Sequence, residues 1–295
     1  MGAGSRVRQF EHRFYQGEPS FSNAVESCNE EAELIARFGE YQVLRGADGY
    51  GLVREERTVG IFEEASVESE RAIFKLSKGM LLEVTDEGAR EIFSKAKAGL
   101  HGLTASDGSL YGGPLGKSSH SIRFESESPE LVDLYSSYFE DVYDRQMHRD
   151  LDRGYPRVMI GDKMAFYDLK DYGAKTGPYT WDVPRAHLDR EGAAEWLKCF
   201  FSGDGTVKKA CMGRDYDIAF DSTNREGLEQ IQALLLDEFG IRSTLKPRPR
   251  EDRPGRRPGY NLRIRDEVTF AEEMGSYKEE HIERLKKILE KKRRG

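Results

Sequence analysis

Two stretches of the chain repeat one succession of apolar and polar positions. From Glu91, EIFSKAKAGLHGLTASDGSLYGG spaces apolar and small residues three and four apart as far as Asp107-Gly108, then alternates, which predicts a helix running into a strand. From Arg190, REGAAEWLKCFFSGDGTV does the same and ends its helix at Asp204-Gly205. Behind the first copy, HSIRFESES predicts a strand, Ser128-Pro129 opens a helix over PELVDLYSSYFEDVYD, and RVMIGDKMAFYDL reads as a strand before Tyr172-Gly173. Behind the second, YDIAFDST predicts a strand. A helix capped at Ser222, Thr223 or Asn224 covers REGLEQIQALLLDEFG, and a strand (YNLRIRD) and a final helix follow. The duplication sets the fold class: α+β, built from two pseudo-symmetric αββαββα units.

Residues 1–90 carry shorter alternating runs, such as YQVLRG, GYGLVRE and AIFKLSKGMLLEVTD, broken by glycine and acid. They predict a small β-rich accessory domain ahead of repeats over 91–180 and 181–295. The segment TGPYTWDVPRAHLD, with two prolines, links the repeats.

The chain has 295 residues, 37% of them hydrophobic, enough for about two domains with a buried core. Apolar stretches are short and interrupted by charge, so neither a signal peptide nor a membrane span is expected, and an intracellular, cytoplasmic protein is. Cys28, Cys199 and Cys211 form no CxxC pair, which argues against a disulfide framework and against structural zinc. The histidines show no ligand spacing, and Tyr111-Gly112-Gly113 reads as a hairpin turn, not a phosphate loop. The net charge of -7 argues against a nucleic-acid partner only as a sum. Acid is concentrated between Glu26 and Glu70, whereas basic residues dominate from Arg242 to Arg265.

Both helix ends pair small residues four apart, Gly102 with Ser106 and Cys199 with Gly203, which puts each pair on one helical face and allows close helix packing. An aspartate in a last turn faces the negative end of the helix dipole, a cost of roughly 0.3–1 kcal/mol at an exposed site. Asp107 and Asp204 do this twice. A divalent cation between them, Mg²⁺ or Mn²⁺, compensates, because such ions take a few carboxylates together with water and phosphate oxygens. Gly108 and Gly205 leave room for a substrate to approach.

These helices resemble the signature of the LAGLIDADG homing endonucleases. Leu100, Gly102, Leu103, Asp107 and Gly108 match in the first copy, and Leu197, Asp204 and Gly205 in the second, with Phe200 and Phe201 as apolar variants. The flanking text WDVPRAHLDREGAAEWLKCFFSGDGTV, DSTNREGLEQIQALLLDEFGIRSTLK and YNLRIRDEVTFAEEMGSYKEEHIERLKKIL is similar to the second repeat of archaeal and intein-borne members. The resemblance covers roughly residues 91 to 290. It implies a saddle of β-sheet on double-stranded DNA, a monomer with internal pseudo-twofold symmetry, and a staggered double-strand break by metal-dependent hydrolysis. It makes Asp107 and Asp204 the metal ligands, with the carbonyls of Ser106 and Gly203 as co-ligands. Lys246 and Arg145 are the candidate basic residues of the two sites. Lys117, His120 and Arg123 in the first repeat, and Lys208, Lys209, Arg214, Arg263 and Arg265 in the second, are expected to face DNA. A catalytically silent DNA-binding protein and an intron RNA maturase are the alternatives within the same fold.

Some positions depart from the family pattern. Ala105 and Ser202 stand where the motif has its inner acid, Lys198-Cys199 replaces an Ala-Gly pair, and His101 is unusual. In the first domain, ERAIFKLSKGMLLEVTDEG resembles a strand pair of intein splicing domains, with Gly88 where a histidine is required. Residues 1–90 are therefore expected to be a splicing-domain relic without self-splicing.

Overall fold

The computed structural model describes residues 32–46, 49–54, 57–112, 120–152, 154–174, 180–209, 216–248 and 258–294. These form two compact units, divided between Ser94 and Lys95.

The N-terminal unit is two four-stranded antiparallel meanders. One is β1 (Glu33–Phe38), β2 (Tyr41–Gly46), β3 (Gly49–Arg54) and β4 (Arg57–Phe62). The other is β5 (Ala65–Val67), β6 (Ala72–Lys75), β7 (Met80–Thr85) and β8 (Gly88–Phe93). Alternation sends Tyr41 and Val43 inward from β2, and Leu82 and Val84 inward from β7, into one core shared by both sheets. The rings of Phe62 and Phe74 meet there at 4.6 Å. Gly88 opens β8 with φ +137°, a backbone conformation that a side chain such as histidine rarely adopts.

The second unit holds both repeats. The first runs α1 (Lys95–Ser106), β9 (Gly108–Gly112), β10 (His120–Glu125), α2 (Pro129–Tyr143), β11 (His148–Asp152), β12 (Tyr155–Gly161) and α3 (Lys163–Asp171). The second runs α4 (Arg190–Asp204), β13 (Gly205–Lys209), β14 (Tyr216–Ser222), α5 (Arg225–Phe239), β15 (Ser243–Arg248), β16 (Gly259–Ile264) and α6 (Glu267–Glu273), followed by α7 (Glu279–Arg294). Each is αββαββα, and the antiparallel sheets have matching orders, β9-β10-β12-β11 and β13-β14-β16-β15. None of the helices among the described residues is long and apolar enough to cross a membrane.

Several local details differ from the sequence pattern. RVMIGDKMAFYDL is not one strand: β12 stops at Gly161, and Asp162 caps α3 by accepting the amide of Ala165 at 2.9 Å. Ala165, Phe166 and Leu169, three and four apart, are its buried face. The edge strands β11 and β15 were not legible as separate elements, and Tyr111 and Gly112 lie within β9. Asn224 is the cap of α5, accepting the amide of Gly227 at 3.1 Å.

Candidate active site

Helices α1 and α4 are the centre of the second unit. A Cβ added to Gly102 would lie 2.5 Å from the Trp196 carbonyl oxygen and 3.2 Å from the Cys199 Cβ. One added to Gly203 would lie 2.5 Å from the Ser106 Cβ and 2.8 Å from the Asp107 Oδ2. Contacts 102–199 and 106–203 climb together, so the helices run parallel and end side by side. The small residues make this possible: only positions without a bulky side chain let backbones come this near. Cys199 in the motif's glycine position is fully buried at this seam, and Lys198 turns away to stack on Tyr277 at 3.9 Å.

The polar groups along the seam are paired. Trp196 Nε1 donates to His101 Nδ1 at 2.9 Å, which leaves Nε2 to donate to the Tyr172 carbonyl at 3.0 Å, so His101 is a neutral tautomer. Burial pushes its pKa down to about 4. The buried Lys97 ammonium meets Asp168 at 2.8 Å and lies over the Tyr172 ring at 4.6 Å. The buried Glu195 carboxylate accepts Tyr138 from the first repeat at 2.8 Å and Tyr277 from the second at 2.9 Å. Buried charges thus stay hydrogen-bonded while holding the helix ends in register.

A pH dependence follows from His101. Its pKa is depressed when folded, so the unfolded chain binds more protons between about pH 6.5 and 4, and stability rises with pH across that window. The contribution is whole above about 6.5 and lost as pH falls through 4, a decline of about 3 kcal/mol at about 1.4 kcal/mol per unit. His281, also lowered to about 4, adds in the same direction. Urea unfolding at pH 7 and pH 4 should show the decline, and a His101→Gln variant should reduce it.

The Asp107 carboxylate opens onto a cleft of about 320 Å³ lined by Ser109, Arg123, Glu125, Asp152 and Arg157. Strand register explains the grouping: Ser109, Arg123 and Met159 face one another across β9, β10 and β12, with Glu125 opposite Arg157 one step along. Ile122 and Phe124 point into the core. Arg157 is clamped by both oxygens of Asp150 (2.9 and 2.8 Å) and by Asp152 (2.8 Å). That guanidinium holds the Asp150 carboxyl below its usual range.

Equivalent register in the second repeat runs Thr206–Ala219–Arg263–Thr244, and one step along Asp221–Asn261–Lys246. Lys246 is exposed on β15. Its counterpart in the first repeat is Asp150, so the sequence symmetry is broken here. Arg145, the candidate for that role, lies in the exposed loop after α2 and does not line the Asp107 cleft, where Arg123 and Arg157 are the cations. Arg157 was missed because it looks like one more charge in an alternating strand. Its only clue was a two-residue spacing from Met159.

The other predicted basic residues separate by strand parity. Arg263 is on the open face and meets Asp217 as an ion pair at 2.5 Å without hydrogen-bond geometry. Arg265, just beyond β16, is exposed and donates to Thr244 Oγ1 at 2.9 Å. Lys208 shares the open face, but its neighbour Lys209 projects to the opposite side, because successive strand residues alternate. His120 is on the core side of β10, where its ring meets Phe166 at 4.9 Å and Tyr167 Oη at 3.2 Å. Lys117 and Arg214 lie outside the described residues.

Asp107, Asp204 and the carbonyls of Ser106 and Gly203 fit a cation that keeps water and substrate oxygens in its shell. The gap beside Gly203 that a Cβ would fill is where the Asp107 carboxylate sits. Among the described residues no three His, Cys, Asp or Glu side chains gather into a cage.

Residues 191–289 match the LAGLIDADG-like domain family. Among solved structures, the chain is similar to the homing endonuclease I-DmoI in complex with DNA and Ca, at 16% identity and a TM-score of 0.48 over 61% of this chain and 88% of that one. Mesophilic variants of I-DmoI match at 17% identity and a TM-score of 0.48, over the same shares. Full-length DUF199/WhiA from Thermatoga maritima matches at 15% identity and a TM-score of 0.42, over 68% of this chain and 61% of that one. No curated protein sequence matches significantly. Residues 191–289 thus carry a LAGLIDADG-like domain, and the first repeat reproduces the same order of elements.

Proposed function

We propose that this protein is a site-specific homing endonuclease that cuts both strands of double-stranded DNA, with Asp107 and Asp204 each serving one strand. The observation that carries the reading is the close approach of the two helix ends, which sets the Ser106 and Asp107 side chains against Gly203, one residue before Asp204. Two carboxylates at adjoining negative helix termini concentrate charge that a bound divalent cation would offset. A bound Mg²⁺ or Mn²⁺ would lower the pKa of a coordinated water and steady the leaving oxygen. Asp107 and Asp204 would orient that ion, with the carbonyls of Ser106 and Gly203 beside them. Arg123 and Arg157 would face the phosphate at the first site, and Lys246 the phosphate at the second. The open faces of the two sheets would lie in the major groove, which is wide enough for β-ribbons. The origin of the protein in an intron or intein, and its action as a monomer, are part of this proposal.

Incubation with duplexes carrying uninterrupted host loci, with Mg²⁺ and with EDTA, tests the reading. The expected result is a staggered double-strand break that requires the metal. Tight binding without cleavage would identify a silent DNA-binding protein instead, and stimulation of intron splicing alone a maturase.

The sheet face has its own test. Arg263→Ala with Arg265→Ala should weaken duplex binding about tenfold or more and flatten the log-log salt dependence by up to about 1.8, at about 0.9 per phosphate contact. Unchanged affinity and slope would place the DNA on another face.

A further inference from the structure

Asn261, on β16, is the only carboxamide on the described strands of the two sheets of the second unit. Phe220 and Leu262 pair across β14 and β16 and are fully buried in the core, so the next pair along, Asp221 and Asn261, projects from the open face. Lys246 of β15 stands opposite Asn261 on its other side. Asn261 Nδ2 donates to Asp221 Oδ1 at 3.0 Å, and the Arg248 guanidinium lies 3.4 Å from the same oxygen. Gly205, next to Asp204, pairs with Phe220, next to Asp221, so this cluster occupies the Asp204 end of its sheet.

The contact with Asp221 fixes which way the amide turns. A carboxylate only accepts hydrogen bonds, so the nitrogen of Asn261, and not its oxygen, must face Asp221. One N–H is engaged there, and the other N–H and the carbonyl oxygen remain for a ligand. In the major groove adenine is the base whose own edge presents one acceptor and one donor together, N7 and the N6 amino group. Guanine presents two acceptors, cytosine an amino donor, and thymine an acceptor beside a methyl group, so each leaves half of the amide unmatched.

The first repeat lacks this device. At the matching register, Glu125–Arg157–Asp150 stands where the second repeat has Asp221–Asn261–Lys246. A guanidinium has donors and no acceptor, so Arg157 cannot make the paired contact to adenine.

We infer that Asn261 is a specificity-determining residue that reads an adenine in the major groove beside the cleavage point of the second half-site, with Asp221 as the positioning residue that holds its amide. The inference rests on the DNA-binding reading proposed above and adds a base identity to it. The mirror-related position, under Arg157, carries no such preference, so the target is unsymmetrical at this base.

The test is selection of bound duplexes from a pool of random sequence by the full chain, with Ca²⁺ in place of Mg²⁺, followed by sequencing. Wild type should enrich one consensus in which adenine is preferred about ten- to a hundredfold at one position of the second half-site. Asn261→Ala should level the preference at that position alone. Asn261→Asp, which has acceptors only, should turn it towards cytosine, whose amino group donates. Asp221→Ala should weaken the adenine preference, and Asp221→Asn, which keeps an acceptor oxygen, should restore it, whereas a bond that merely braces the sheet would move the thermal midpoint and leave base preference untouched. Equal thermal midpoints show that the variants are folded, since Asn261 is partly exposed. A consensus that Asn261→Ala leaves unchanged would overturn this inference alone, as would an equal loss of affinity on every sequence. A wild type that enriches no sequence would overturn the site-specific DNA reading and this inference with it.

Discussion

Asp204→Asn should abolish DNA cleavage, and Asp107→Asn should do the same, each lowering the rate at least about a thousandfold, or about 4 kcal/mol of activation barrier. The amide keeps the shape of the carboxylate but gives up the charge that would hold and orient the cation. Both side chains are only half-buried at the helix ends, and nearby Ser106 and Gly203 make the seam without them, so folding should be unaffected. Affinity for the duplex should remain within a few-fold or improve, because removing a negative charge near phosphates relieves repulsion. Gel-shift affinity measured in Ca²⁺ beside cleavage rates in Mg²⁺ separates the two effects. Unchanged cutting in both variants would remove these aspartates from the chemistry.

Gly102→Val should be the most damaging change to the fold of the second unit. Its Cβ would press within 2.5 Å of the Trp196 carbonyl, which is helix backbone and cannot swing aside, so α1 and α4 must separate. Overpacking of this kind costs typically 1–3 kcal/mol, and the rigidity of the partner puts this case at about 3 kcal/mol or above. Separation also parts Asp107 from Gly203, so activity should fall further than stability alone explains. Gly161→Ala is the control: a Cβ there meets only the His120 carbonyl oxygen, at 3.7 Å, and the change should be within about 0.5 kcal/mol. Denaturant midpoints for both variants decide it, and equal midpoints would show that the seam is loose.

Much of this was legible along the chain because the relevant forces are local. The period of apolar residues marked α1, α2, α4 and α5, and small residues four apart marked the helix faces able to touch. Gly88 takes a positive φ at the start of β8, a local requirement that glycine meets without strain. The aspartates at the helix ends stood out because the duplication repeats a locally unfavourable choice, and unfavourable choices made twice have a reason.

The rest depended on partners distant in sequence. KMAFYDLKD continues the alternation of β12 for several residues, so only the Asp162 cap and the burial of Ala165, Phe166 and Leu169 against the sheet fix it as α3. The parity of Lys208 and Lys209, or of His120 and Arg123, follows from which side of each sheet the helices cover. Along the chain all four are simply cations in strands. Arg157 becomes part of the Asp107 cleft through register with Glu125 and Asp150, and Lys278 comes within reach of Gly203 through a loop some seventy residues away. The sequence by itself determined the two helices and their terminal aspartates, since spacing and backbone propensity act between near neighbours. Only the tertiary structure decided which cations attend each aspartate, because strand register and helix contact bring together charges that the chain holds far apart.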